Sequence, residues 1–512
     1  MPATAPAQAR HERPRRIPLA LFLGALALYL AGTWSLPLID RDEPRFAEAS
    51  REMRQREDWI VPWLNNKPRY DKPPLVYWLQ IAAYREFGEN TFSARLPSAL
   101  AGALTVLTIY GFGRRLRDAR TGLWAAIIFG TCLQTVVHSR LAVADMLMIL
   151  FFTTAAWSGW ELLVVNASPS SHPSPPVGEK APEGRLRGRF TWWLAFYVSL
   201  GLAFLAKGPV GVLPLLLPIL TPLLRREAVP WSRLQIGWGL ILSLGIIATW
   251  GVPALIQTKG EFWDVGMGRH VIERSVGVLD GHGASRLVSY LATVPLYFVT
   301  IFFSFFPWAF WLPGLIRGLW PKRRALSRDQ VYLVTGVAII FVLFSLVRTK
   351  LPHYTLPAFP LLALLLAESW TDKLQVLPAQ RRWATGMVVV SILMGLLAFP
   401  FLARLFPSAQ LFEACSPWLQ PETQLASTSF EEPSVAWSFR SRIRGFHQVL
   451  PPNELPRFMA RKGPRLCLLP TDQVSTLFPT IPPEWKQAQT TGFNTANGKR
   501  VDLTALVKTA AD

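Results

Sequence analysis

The sequence predicts an all-α polytopic membrane protein of about 11–13 transmembrane helices, followed by a small C-terminal α/β domain. Three observations carry this. Apolar stretches of about 18 or more residues recur along the first four fifths of the chain. Charged residues make up 17% and hydrophobic ones 51%, where soluble domains carry about a quarter charged. Lys and Arg gather in every second short loop.

Residues 1–16 form a basic tail ending Arg10-His11-Glu12-Arg13-Pro14-Arg15-Arg16. The apolar run Ile17–Leu36 exceeds a signal-peptide core and lacks a small-x-small cleavage site, so it reads as an uncleaved first span. Further candidate spans are 94–112, 121–138, 145–165, 191–206, 209–224, 235–256, 287–314, 330–347, 354–369 and 384–405. Arg114, Arg115, Arg117 and Arg120 follow the second, and Lys180, Arg185, Arg187 and Arg189 the fourth. Arg225 and Arg226, Lys322 to Arg324, and Lys373, Arg381 and Arg382 continue the series. All fall on the N-terminal side, which predicts a multi-pass inner (cytoplasmic) membrane protein with a cytoplasmic N-terminus and a periplasmic C-terminus.

The membrane domain is then 17–405, with a first external loop at 37–93 and a second at 257–286. The Ser/Pro/Gly-rich segment Asn166–Gly188 reads as a disordered cytoplasmic linker. Residues 406–512 form the periplasmic domain. Ser427–Phe430, Phe446–Leu450 and Arg465–Pro470 read as strands, with Pro433–Arg442, Asn453–Lys462 and Thr471–Leu477 as helices. Cys415 and Cys467 share this domain and are read equally well as a pair or as buried thiols; Cys132 lies in an apolar stretch. The net charge of +20 lies mostly in topology-setting loops, with no basic domain of interleaved aromatics, which argues against nucleic acid.

The first external loop is the richest in chemistry. In Asp40-Arg41-Asp42-Glu43-Pro44-Arg45, Pro44 fits the first position of a helix and Asp42 or Glu43 its N-cap. Arg45, Glu48 and Glu52 then share a face. A carboxylate there can serve as general base to an acceptor hydroxyl or amine; a capped, solvated helix start explains the run equally well. Lys72 precedes Pro73-Pro74, which hold it outside a helix beside an aromatic stretch, suited to a phosphate or to plain interfacial anchoring. Asp145, Lys207 and Lys350 sit at external ends of spans, where charge is functional by default and snorkelling is the competitor. Acids facing several cations outside the membrane point to an anionic, phosphorylated lipid. In the second loop, His270 and Arg274 are four apart; Arg suits phosphate, while a lone His is a weak metal signal.

These segments together resemble a known family. Asp42-Glu43-Pro44-Arg45-Phe46-Ala47-Glu48 resembles its D-E-x-R-[YF]-A-E block. Asp58-Trp59-Ile60-Val61-Pro62 with Leu64-Asn65 resembles a second block, and Asp71-Lys72-Pro73-Pro74-Leu75 a third. Arg140 to Asp145, Lys207-Gly208-Pro209 and Lys350-Leu351-Pro352 with Tyr354 fit further blocks. The family is the membrane glycosyltransferases similar to the 4-amino-4-deoxy-L-arabinose lipid A transferase, related to the protein O-mannosyltransferases and sharing the GT-C fold. The resemblance spans about residues 17–370.

It implies a sugar donor carried on a polyprenyl phosphate of the undecaprenyl type and a lipid A-like or other envelope acceptor. It implies Asp42 as catalytic carboxylate, with Glu43 in reserve. Lys72 and Arg274 would hold the lipid phosphate, with Arg45 and Lys207 lining the same cavity and Asp145, Lys350 and Tyr354 contributing to it. Asp71 and His270 lie where some members place a divalent metal, so such a metal is the one cofactor implied. Asp71 replaces the commoner Glu, and Pro44 the Thr of the aminoarabinose enzymes, which leaves sugar and acceptor open. A protein O-mannosyltransferase-like enzyme is the nearest alternative, and a lipid-linked sugar flippase or transporter the alternative of another class. The flippase reading expects charges within spans and inverted repeats; here the charges gather at external ends.

Overall fold

The computed structural model describes residues 16–164, 183–266, 268, 287–371, 378–495 and 497–509. The N-terminal part contains helices α1 (Arg16–Leu30), α2 (Asp42–Arg56), α3 (Leu75–Phe87), α4 (Thr91–Leu116), α5 (Ala119–Thr131), α6 (Leu133–Ser139), α7 (Asp145–Val164), α8 (Glu183–Lys207) and α9 (Leu217–Leu224). A hairpin of β1 (Trp63–Leu64) and β2 (Lys67–Pro68) lies between α2 and α3. Its turn is Asn65-Asn66, both at positive φ, the geometry a two-residue hairpin turn requires.

Among the described residues, six helices are long and apolar enough to cross a membrane, or eight if each of two bent pairs is one span. The remaining candidates are shorter: α1 has 15 residues, α9 follows a 3-10 turn over Pro209–Leu216, and the helix Phe359–Thr371 follows another over Pro352–Ala358. Hydropathy found these segments; in the last two, prolines break the regular helix into a 3-10 stretch. The expected 11–13 spans therefore appear as fewer regular ones. The linker expected over 166–188 lies outside the described residues up to 182; from Glu183 onward the chain is helical.

The bundle centres on α4, which packs against α1, α5 and α7. Asn90 opens α4 in a capping box with Ser93, satisfying two orphan donors. At the α4–α5 crossing a Cβ on Gly113 would lie 2.7 Å from the Gly122 Cα, so only small residues allow this approach. The helices Trp231–Gln257 and Pro378–Leu405 leave most of their apolar surface outside, as lipid-facing helices do, whereas α4 and α7 are mostly buried.

The C-terminal part carries a five-stranded sheet in the order β4-β3-β5-β7-β6: β3 (Gln424–Ser427), β4 (Gln448–Val449), β5 (Arg465–Pro470), β6 (Lys486–Asn494) and β7 (Lys499–Lys508). β3 runs parallel to β4 and β5, and β7 antiparallel to β5 and β6. Leu466 and Leu468 face one apolar layer, Cys467 and Leu469 the other, the alternation a strand imposes. Cys415 and Cys467 belong to opposite layers, and all three cysteines are free and buried. The three expected strands are present in slightly shifted form; β6 and β7 were not anticipated.

Helix α2 holds this domain against the bundle. The Ser434 N–H donates to Asp40 Oδ1 at 2.9 Å, and Asn65 Nδ2 donates to the His447 carbonyl at 2.7 Å. Arg51 donates to the Trp437 carbonyl at 3.0 Å with its guanidinium 4.6 Å from that residue's ring.

Candidate active site

Helix α2 starts at Asp42, with Arg41 at the N-cap and no side-chain cap bond. Pro44 is thus the third helical residue rather than the first. Asp42 and Glu43 fill the first turn, where carboxylates face the positive end of the helix dipole. The two neighbours differ completely in surroundings. Glu43 is 1% exposed and pairs with Arg95 through two bonds of 2.8 and 2.7 Å. It also accepts the Ile39 N–H at 2.9 Å and the Ala142 N–H at 2.7 Å. Arg95 donates in addition to the carbonyls of Thr33 and Leu36. Asp42 is exposed, and among the described residues no hydrogen bond or ion pair of its carboxylate is recorded.

A cavity of about 670 Å³ lies between α7, α8, the helix Ile236–Gln257 and the segment around His353. Most of its wall is apolar, including Phe204, Leu213, Leu244, Trp250 and Phe344. Its polar side chains include Asp71, Lys72, Asp145, Lys207, His353 and Tyr354. Asp145, the first residue of α7, forms an ion pair with Lys207, the last of α8. Gly208 follows at φ +88 and ends the helix there. The rings of His138 and His353 lie 5.2 Å apart, and Tyr354 meets His353 edge-on at 5.1 Å. Lys72 acts on His353 by charge.

Among the described residues, Lys350 and Arg45 do not line this cavity. The Lys350 ammonium donates to the carbonyls of Ser345 at 2.6 Å and Val347 at 2.7 Å, closing the end of the helix Arg328–Leu346. Burial draws its pKa down. Arg45 lines a separate crevice of about 350 Å³ with Arg41, Asn65, Glu431, Glu432 and His447. Asp71 lies 3.3 Å from Arg69 in an ion pair. His270 and Arg274 lie outside the described residues, among which no cluster of three His, Cys, Asp or Glu side chains could hold a metal. The loop block around Asp58 has a structural use. Asp58 accepts the Ile60 and Val61 N–H groups, the Trp63 indole and the Gln257 amide, fastening the loop to the helix Ile236–Gln257.

Sequence reasoning missed Arg95, His138 and His353. A charge near the start of the second span was the available signal for Arg95. His353 stood inside a quoted block but was read as a spacer, and nothing in the sequence pairs it with His138.

Known proteins are similar to this chain in sequence and fold. Residues 17–263 match the family described as dolichyl-phosphate-mannose-protein mannosyltransferase. The chain is 31% identical over 356 residues to the undecaprenyl phosphate-alpha-4-amino-4-deoxy-L-arabinose arabinosyl transferase 2 of Sodalis glossinidius, over 67% of this chain and 58% of that relative. It is 28% identical over 364 residues to the corresponding transferase of an Enterobacter species, over 69% of this chain and 59% of that one. The matches thus span less than two thirds of the length of these curated relatives. The crystal structure of ArnT from Cupriavidus metallidurans bound to undecaprenyl phosphate superposes with a TM-score of 0.73 at 20% identity, over 96% of this chain and 98% of that one. Its apo state gives 0.69 at 21% identity, over the same shares.

Fold and site define the class: this is a multi-pass membrane protein with the GT-C fold. Within that fold, the chain is similar in sequence to the arabinosyl transferases and, over 17–263, to the protein mannosyltransferase family.

Proposed function

We propose that the protein transfers a sugar from an undecaprenyl-phosphate-type donor to an acceptor of the cell envelope. The supporting observation is the cavity itself: an apolar wall with Lys72, Lys207 and Tyr354 lining it; Asp42, exposed in the first turn of α2, is the carboxylate this reading assigns to the acceptor. An apolar wall suits a polyprenyl chain, and fixed cations stabilise the charge that develops on a departing phosphate. In this reading Asp42 takes the proton from the acceptor hydroxyl as it attacks the anomeric carbon. Lys72 and Lys207 hold the phosphate, with Asp145 orienting Lys207. Arg274 completes the phosphate site. Glu43 and Lys350 serve the scaffold, and Arg45 faces the acceptor from its polar crevice.

The curated relatives favour 4-amino-4-deoxy-L-arabinose as the sugar and a lipid A-like acceptor. Transfer to a protein hydroxyl is the second reading, favoured by the family model over 17–263. The basic loops support a cytoplasmic N-terminus, with the site and the C-terminal domain on the periplasmic face of the inner membrane.

The test is transfer by purified protein in proteoliposomes holding undecaprenyl-phosphate-linked aminoarabinose and lipid A, read by mass spectrometry. A sugar-modified acceptor is expected. Absence of any covalent product, together with donor movement across the bilayer, would replace transfer by flipping. Modified protein in place of modified lipid would select the second reading.

A further inference from the structure

A second cavity, of about 450 Å³, shares no lining residue with the first. It lies between α6, the helix Pro378–Leu405, the loop before α2 and the end of β6. Its wall is almost wholly apolar. Val137, Val390, Met394 and Phe493 line it and are exposed, so it opens on the outer surface of the molecule. The helix Pro378–Leu405 leaves most of its apolar surface outside, so this opening faces lipid.

Two cations line this apolar space, Arg95 and Arg140. Arg95 is neutralised by Glu43. Arg140, just after α6, is 6% exposed, and among the described residues no carboxylate pairs with it. Its Nη2 donates to the carbonyls of Leu28 in α1 at 2.7 Å and of Ser391 at 2.8 Å. Its Nε is buried without a partner, and no hydrogen bond is recorded for Nη1. Phe399, also in the wall, has its ring 5.6 Å from the guanidinium. Two carbonyls and a ring supply only partial charge. A buried cation is costly unless an anion meets it, and a guanidinium is well fitted to phosphate.

A mouth facing lipid, an apolar wall and an uncompensated guanidinium complement one kind of ligand. We propose that this cavity binds an anionic phospholipid of the surrounding bilayer, its phosphate on Arg140 and an acyl chain along the apolar wall. The occupant joins α6 to the helix Pro378–Leu405 and to the strand end at Phe493, so it ties the bundle to the sheet domain. The inference is independent of which sugar is transferred.

The experiment titrates delipidated protein in detergent with phosphatidylglycerol, phosphatidylethanolamine or undecaprenyl phosphate. Bound lipid is read by native mass spectrometry, beside the melting temperature. The variants are Arg140→Gln and Val137→Trp, the second of which narrows the mouth and leaves the Arg140 contacts in place. Wild type is expected to prefer phosphatidylglycerol roughly tenfold, because the ammonium of phosphatidylethanolamine cancels the charge that Arg140 lacks. It should melt higher as that lipid binds. Arg140→Gln should lose roughly 10- to 100-fold in phosphatidylglycerol affinity, the scale of a charged hydrogen bond. Val137→Trp should weaken it as well. Undecaprenyl phosphate binding should stay within about twofold in both variants, since the two cavities are separate. Should Arg140→Gln fail to fold for want of its carbonyl ties, Val137→Trp decides. Equal affinity of wild type for the two phospholipids overturns the proposal, as does Val137→Trp binding phosphatidylglycerol like wild type. Undecaprenyl phosphate displacing phosphatidylglycerol one for one overturns it too, and gives the cavity to polyprenyl phosphate.

Discussion

Two of the ion pairs among the described residues, Glu43–Arg95 and Asp145–Lys207, differ in what can reach them. Glu43 and Arg95 are each 1% exposed at the side chain and bond each other and five backbone groups around them. Asp145 and Lys207 are 10% and 17% exposed and open into the cavity. The first pair ties the loop before α2 to α4 and to the turn before α7. The second brings two helix ends together and still presents charge to a ligand. Charge near a membrane is a functional signal only where a substrate can touch it; otherwise it is architecture.

The sharpest way to break this contrast uses the neighbours Asp42 and Glu43. Asp42→Asn is expected to lower transfer by roughly 10²–10⁴-fold, with the detergent melting temperature unchanged. Glu43→Ala leaves Arg95 buried without its partner, which costs about 3–5 kcal/mol in such pairs. Low yield and a collapsed melting transition are expected there. If Glu43→Ala folds normally while losing activity, the assignments of the two carboxylates must be exchanged. On the cavity side, Lys72→Met should weaken undecaprenyl phosphate binding by roughly 10- to 100-fold, from a charged hydrogen bond worth about 1.5–3 kcal/mol. Unchanged affinity would move the phosphate site elsewhere in the cavity.

Much of this was legible in the sequence because the bilayer writes simple rules into it. Apolar length marked the segments that became helices, and the acidic run before Pro44 marked the start of α2. What stayed hidden was three-dimensional. Nothing local distinguishes Glu43 from Asp42: Arg95 lies in another helix, and the Ala142 N–H beyond a further one. Lys350 matched a family block, but its carbonyl partners come from its own preceding helix end. Prolines at 209, 214, 352 and 357 pass a hydropathy window while breaking the helix it implies. The hairpin of β6 and β7 was missed although Asn497-Gly498 marks its turn, with Gly498 at φ +71. The polar strand Lys486–Asn494, at the sheet's edge, lacks the apolar run that flagged β5.

The interface between α2 and the C-terminal domain offers the mildest test, through Asp40. Burial pushes its carboxyl up to about 7 from an ordinary value near 3.8, against the pull of the Ser434 N–H. Between those two values the folded protein holds a proton that the unfolded chain has released. Stability must therefore fall as pH rises from about 4 to 7 and level off above. Glu48 moves in the same direction: burial lifts it to about 7 although Arg51 beside it pulls down. Asp40→Asn keeps an oxygen for the Ser434 N–H but cannot charge. The variant should melt higher than wild type at pH 8, match it near pH 4, and show a shallower slope between. Because Glu48 still titrates, the slope should shrink rather than vanish. A melting temperature that rises with pH over this interval, or a slope that Asp40→Asn leaves untouched, would show that the acidic start of α2 is not strained by its burial under the domain.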